Sequence, residues 1–304
     1  MTPAAPDRPP PREDQALPFR RLLFVLDALS DSMLGAEVAA LLARRFAADL
    51  AALYVESEDL ARLAGHSGAG FVANRPAASA LPGTASGAAS GLADIAETLR
   101  AKMAEGRRAV ERASRARAVP ASFETRRGSM AAAVAERAGI FDLVVIGWSE
   151  SLTTFDATRP GSMIESLAEQ APGSILFLGQ GRAQRTTGGA GTVVVLFDGS
   201  AAAARAVETA AAIAEADDAT LNVVLATPRL DSAALWRDEI AGRLAATDVR
   251  VAFLHLPETR PETLGTALAA LGPGMAVVPA PAPRDAGALA RRLGRGGCSL
   301  LLVR

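Results

Sequence analysis

Aromatic residues make up only 4% of the 304-residue chain, histidine occurs twice and cysteine once. Each scarcity closes off a class of function. A single cysteine excludes an intrachain disulfide framework and any metal site built from several thiolates. His66 and His255 stand far apart, and neither has a cysteine or second histidine at ligand spacing, so no zinc signature is present. Few aromatics argue against an aromatic-lined groove. Charge of one sign is missing too. Lysine and arginine number 32 against 33 acidic residues, for a net charge of −1, which leaves no basic footprint for nucleic acid. No apolar run reaches the roughly 18 residues that a membrane span requires. The opening stretch MTPAAPDRPPPREDQALPFR has no apolar core of a signal peptide, and residues 1–19 read as a disordered tail. These absences predict a cytoplasmic protein without nucleic-acid or membrane partners. Catalytic signatures are absent as well: there is no Ser-His-Asp order, no G-x-S-x-G elbow and no phosphate loop of the G-x-x-x-x-G-K-[ST] form. No enzyme is expected.

What is present is regular. Half the chain is apolar, much of it alanine, as suits small-residue helices packed closely on a sheet. RLLFVLD is a short apolar strand ending at Asp27, and Leu34, Val38, Leu41, Leu42 and Phe46 follow at helical spacing. LAALYV (50–55) is the next strand. Residues 65–91, rich in Gly, Ala, Ser and Pro without any period, are a loop insert. A charged helix follows, marked by Leu92, Leu99, Met103 and Val110, with Gly106 a weak point inside it. Its charges predict a solvated face or an electrostatic partner surface. ASFETRR is a strand, SMAAAVAERAG a helix closed by Gly139, and DLVVIG a strand without alternation. GSMIESLAEQAPG is a short helix, and SILFLG closes the unit. Continuous apolar strands alternating with amphipathic helices predict a parallel sheet covered on both faces.

The second half repeats this order. TVVVLFD ends at Asp198 as RLLFVLD ends at Asp27, and without gaps Leu50 falls on Leu221 and Leu53 on Val224. A helix around Leu235, Ile240 and Leu244 comes next, then the strand VRVAFLHL and a helix with Pro261 in its first turn and Leu264, Leu268 and Leu271 on one face. GMAVVPA matches DLVVIGW, and CSLLLVR matches SILFLGQ. The expected fold is α/β: two tandem doubly wound, five-stranded parallel-sheet units of Rossmann-like design. The units span 20–179 and 192–304, joined by a linker at 180–191. Each unit ends in an apolar strand that would be an exposed edge alone, so the two are expected to pack as an intramolecular pseudo-dimer.

The paired strand ends (LFVLD, VLFDGS), the DLVVIG strand and the GS opening of the last helix in GSMIESLAEQAPGSILFL resemble the universal stress protein family in its tandem, two-domain form. Stress-response regulation through protein partners or self-association, a possible homodimer included, is what that resemblance implies. Members that bind ATP carry a loop of the form G-x-x-G-x9-G-[S/T] after the fourth strand. Glycines let the backbone approach phosphate oxygens, and the following helix offers free N–H groups. By resemblance Asp27 and Val55 line the adenosine side, and Gly147, Gly161, Ser162 and Met163 the phosphate side, of a site for ATP or another adenine nucleotide. Glu150 stands where the second glycine belongs, and ten residues rather than nine separate it from Gly161. A carboxylate about 4 Å from a phosphate charge costs about 4 kcal/mol at an effective dielectric near 20, unless Arg126, Arg127 or Arg159 pairs with it. The loop is therefore either a weakened nucleotide site or a solvated surface loop. The alternative is a genuine ATP-binding, slowly hydrolysing protein. A related nucleotidyl-transfer enzyme lacks its HxGH or SGGxDS motif here.

Unit 2 departs further. APAPRDAGALARRLGRGG has no glycine pair opening a helix, and Pro279, Pro281 and Pro283 remove N–H donors. Asp27 could equally cap its own turn through Ser30. Trp148 could stack on a ligand or pack under its loop, and Cys298 reads as a buried small hydrophobe.

Overall fold

The computed structural model describes residues 19–28, 30–57, 87–147, 162–179, 191–257, 260–280, 283–294 and 297–304. Unit 1 runs β1 (Arg21–Leu26), α1 (Ser32–Arg45), β2 (Asp49–Ser57), α2 (Gly87–Arg117), β3 (Ala121–Gly128), α3 (Met130–Ala138), β4 (Leu143–Gly147), α4 (Ser162–Gln170) and β5 (Ser174–Leu178). Unit 2 runs β6 (Thr192–Phe197), α5 (Ala201–Asp217), β7 (Thr220–Ala226), α6 (Leu230–Leu244), β8 (Arg250–Leu256), α7 (Pro261–Ala270), β9 (Met275–Pro279), α8 (Pro283–Gly294) and β10 (Ser299–Val303). Asp31, Ser129 and Ser200 cap α1, α3 and α5 through their side-chain oxygens, each satisfying a backbone N–H that the helix start leaves open.

The strands form one ten-stranded sheet in the order β3-β2-β1-β4-β5-β10-β9-β6-β7-β8. Within each unit pairing is parallel, and the register repeats. Leu22 pairs with Leu50 and Leu143; Val193 pairs with Leu221 and Met275. At the centre β5 meets β10 antiparallel, with Leu176 opposite Leu301. Every residue of these two strands is buried, and fully burying a side chain such as Leu or Ile is worth about 1.5–3 kcal/mol. Each strand end that would be exposed alone is thus covered by its counterpart.

Strand alternation sends Leu22, Phe24, Leu26 and Tyr54 to the face covered by α1, α2, α5 and α6. Leu23, Val25, Val55 and Ile146 go to the face covered by α3, α4, α7 and α8. Across the junction α4 packs on α8, and Arg45 at the end of α1 forms an ion pair with Asp217 at the end of α5.

Three sequence expectations are corrected. The insert 65–91 overlaps α2, which begins at Gly87; alanine is the best helix former and carries the helix through the flanking glycines. Residues 65–86 lie outside the described residues, as do 1–18 and 180–190. Gly106 is a contact rather than a weak point. The helix runs through it, and a Cβ there would sit 2.6 Å from Leu26 Cδ1, so glycine lets α2 lie close on the strands. Leu235 is 70% exposed; the inner face of α6 is instead made by Ala233, Ile240 and Leu244.

Candidate functional site

In open α/β sheets, ligands gather at the carboxyl ends of the strands where successive helices diverge to opposite faces. In unit 1 that point lies between β1 and β4, because α1 covers one face and α4 the other. Asp27 and Ser30 stand just beyond β1. Asp27 Oδ1 accepts from the Ser30 backbone N–H at 2.8 Å, and Ser30 Oγ accepts from the Asp27 N–H at 2.9 Å. Ser30 Oγ also donates to the Asp27 carbonyl oxygen at 3.0 Å. Of the two roles open to Asp27, turn capping is present, and the capped turn fixes the β1 side of the crevice. Gly147 ends β4, and a Cβ on it would touch Ser30 Cβ at 3.4 Å.

Val55 lies at the same end of β2 but is 2% exposed and faces the α3/α4 side. Its neighbour Tyr54 faces the other side beside Leu26 and Gly106. Burial first, and then the charges of Asp27 and Glu56, push the Tyr54 phenol up to about 12, so it stays protonated and can only be a hydrogen-bonding neutral group there. Sequence reasoning missed Tyr54, although the two-residue period of β2 places it on the face opposite Val55. Ser162 and Met163 open α4, which is anchored by fully buried Ile164 and Leu167. Glu165 stands in the first turn of α4; it stabilises the helix N-terminus but competes there with any incoming anion. Trp148, Glu150, Arg159 and Gly161 lie outside the described residues. Two of the cations considered as partners of Glu150 are otherwise engaged: Arg126 with Glu124 at 3.1 Å and Arg127 with Glu56 at 2.6 Å.

The equivalent end of β6 in unit 2 is packed differently. Asp198 Oδ1 accepts from Ser200 N at 2.9 Å, and Gly199 between them has φ +83° with the Trp236 indole lying against its α-carbon, where any Cβ would overlap the ring. Trp236 also stands edge-on to Phe197, with ring centroids 5.3 Å apart. The position that Gly147 takes in β4 is held in β9 by Pro279. Other candidates are structural. His255 Nε2 lies 2.8 Å from the Thr227 carbonyl oxygen, and burial pushes the Cys298 thiol up to about 12, far from a reactive thiolate. Among the described residues no cluster of His, Cys, Asp and Glu could hold a metal, and no helix is long and apolar enough to cross a membrane.

No protein-family model and no curated protein matches the sequence. Solved structures do match the fold. A universal stress protein from Archaeoglobus fulgidus superposes with a TM-score of 0.65 at 12% identity, covering 94% of this chain and 96% of that one. A putative universal stress protein from Pseudomonas aeruginosa UCBPP-PA14 gives 0.55 at 16% identity over 95% of both chains. A protein of unknown function from Pseudomonas aeruginosa PAO1 gives 0.54 at 16% identity, over 94% of this chain and 92% of that one. Such coverage spans both units, so the whole chain has the fold of these universal stress proteins.

Proposed function

We propose that this chain is a tandem universal stress protein, a cytoplasmic regulatory protein of the stress response. It acts through contacts with protein partners rather than through catalysis, and its competence for adenine nucleotide is confined to unit 1 and weakened there. One observation supports this reading: β4 ends on Gly147, where an added Cβ would meet only Ser30, whereas in unit 2 Pro279 holds the Gly147 position and Trp236 packs against Gly199 at the end of β6. A glycine-ended fourth strand in unit 1, against a proline-ended one in unit 2, makes unit 1 the better candidate for a ligand. The Glu150 replacement and Glu165 add negative charge where phosphate would lie, which favours weak binding.

A second reading, genuine ATP binding with slow hydrolysis, draws support from Gly147 and the Gly161-Ser162 pair at the start of α4. Calorimetric titration of the full chain with adenosine, AMP and ATP separates the two. Weak binding at no more than one site, with no preference for ATP over adenosine, is expected. Tight ATP binding with measurable phosphate release supports the second reading and sinks the first.

A further inference from the structure

We propose that the outer edge of unit 2, strand β8, pairs with β8 of a second copy of this chain and extends the sheet across a two-fold axis. Among the described residues the sheet ends on β3 and on β8, and the two edges are guarded differently. On β3, Glu124, Arg126 and Arg127 are held in ion pairs, and such charges resist an incoming strand. The β8 sequence RVAFLHL has one charged residue, Arg250, at its first position, and no proline. Exposed apolar side chains also collect at this end. Among the described residues five large ones are exposed, and three of them, Leu230, Leu235 and Leu254, belong to β8 and to α6, which packs over it.

A second copy fits this edge for reasons of charge and symmetry. Edge recognition uses main-chain hydrogen bonds and alternate side chains, so the incoming strand must be apolar and uncharged along its middle, as β8 is. In antiparallel pairing about Phe253, Arg250 of one copy falls opposite Leu256 of the other. The two guanidinium groups are then about 20 Å apart at about 3.4 Å per residue, whereas parallel pairing would set them side by side. The chain already closes one edge in this way, because β5 and β10 are equivalent strands joined antiparallel, and β8 continues the same sheet. Joining β8 to β3 of the next copy would propagate an open fibre, which the charges of β3 oppose. The β8–β8 contact closes at two chains and leaves only guarded edges outside.

Sedimentation equilibrium of the full chain tests this, comparing wild type with Leu254→Lys and with Ser122→Lys on the β3 edge. Wild type and Ser122→Lys are expected at twice the monomer mass. Leu254→Lys sets one ammonium from each copy near the axis and weakens the dimer about tenfold or more. Circular dichroism establishes that the variants keep the wild-type fold. Hydrogen exchange gives an independent reading: amides of 250–256 that face away from β7 are protected at high protein concentration and exchange freely on dilution. A monomeric wild type overturns the proposal. So does a dimer that survives Leu254→Lys unweakened, one that Ser122→Lys dissolves, or one that leaves 250–256 unprotected.

Discussion

Units 1 and 2 share strand order and register yet end their central strands in opposite ways. Leu26 of β1 is approached by a helix that carries Gly106 at the contact. The equivalent Phe197 of β6 is approached by a helix that carries Trp236. Where unit 1 has Ala28, unit 2 has Gly199, whose missing side chain is what admits the indole. One half closes this contact with a glycine on the approaching helix and the other with an indole, although the buried strands beneath are interchangeable in pattern. A repeated core thus fixes the scaffold, and a few residues at the strand ends set how each end is packed.

The helices that meet at the junction have diverged as well, and this gives the largest expected effect. The last turns of α1 and α5 are equivalent, yet one offers Arg45 and the other Asp217, both largely buried. Two identical units would set like side chains together here. Burial raises the Asp217 carboxyl above its ordinary range, and the Arg45 guanidinium pulls it back only in part. Arg45→Ala leaves that carboxylate buried and unpaired and should cost about 3–5 kcal/mol at neutral pH. An acid whose folded pKa is raised is least costly when protonated, so its penalty grows as pH rises through the raised value and vanishes below the ordinary one. The gap in melting temperature between wild type and Arg45→Ala should therefore shrink on acidification. The double variant Arg45→Met/Asp217→Leu should recover most of the loss. A pH-independent gap would show that Asp217 stays ionised throughout.

Next in size is the contact of Trp236 with Gly199. Gly199→Ala forces a residue with a side chain to adopt φ +83° and drives its Cβ into Trp236; together these cost about 2 kcal/mol or more. In a Trp236→Ala background the overlap is gone and only the backbone strain remains, so the two losses should fall short of additivity by about 1 kcal/mol. The reversed exchange in unit 1, Ala28→Gly, should change stability by less than about 1 kcal/mol. Denaturant unfolding of the four unit 2 proteins and of Ala28→Gly measures this. Strict additivity would mean that the indole can move aside without cost.

Much of this was legible in the sequence because it rests on period. The β4 and β9 strands, the register of Leu50 with its counterpart Leu221, and the apolar last strands follow from runs whose burial on both faces leaves no alternative. The seat of Asp27 was legible only as one of two roles, since a strand-end Asp three residues before a Ser suits a capped turn as well as a ligand contact. Three features were not legible. Leu235 has the helical spacing of a core residue, but the face that the 15-residue α6 turns inward is made by Ala233, Ile240 and Leu244, and sequence spacing alone does not say which apolar positions of an outer helix face the sheet. Gly106 looked like a helix breaker because a close approach from another element is invisible in one dimension. The packing of Trp236 on Gly199, some 37 residues away, depends on how α6 lies over β6 and β7, and no local pattern encodes that.

The smallest expected effect bears on unit 1's mouth most directly. If Glu150 is what weakens a phosphate site after β4, then Glu150→Gly should raise ATP affinity. Solvent screening reduces the bare Coulomb figure to a gain of about 1 kcal/mol. Because the repulsion acts on phosphates and not on the base, the gain should be absent for adenosine, small for AMP and largest for ATP. Removing one residue between positions 150 and 161 should add to it by restoring the spacing of the loop. Replacing Gly161 by valine in the same background should cancel it, since a branched side chain obstructs the approach to the α4 N-terminus. Unit 2 supplies the control: Pro279→Gly should leave ATP affinity unchanged, because no glycine pair opens the helix that follows β9. Titration of these variants with the three ligands decides the matter. A gain equal for adenosine and ATP would mean that the mutation reshapes the base pocket, and tight ATP binding by the wild type would mean that Glu150 obstructs nothing.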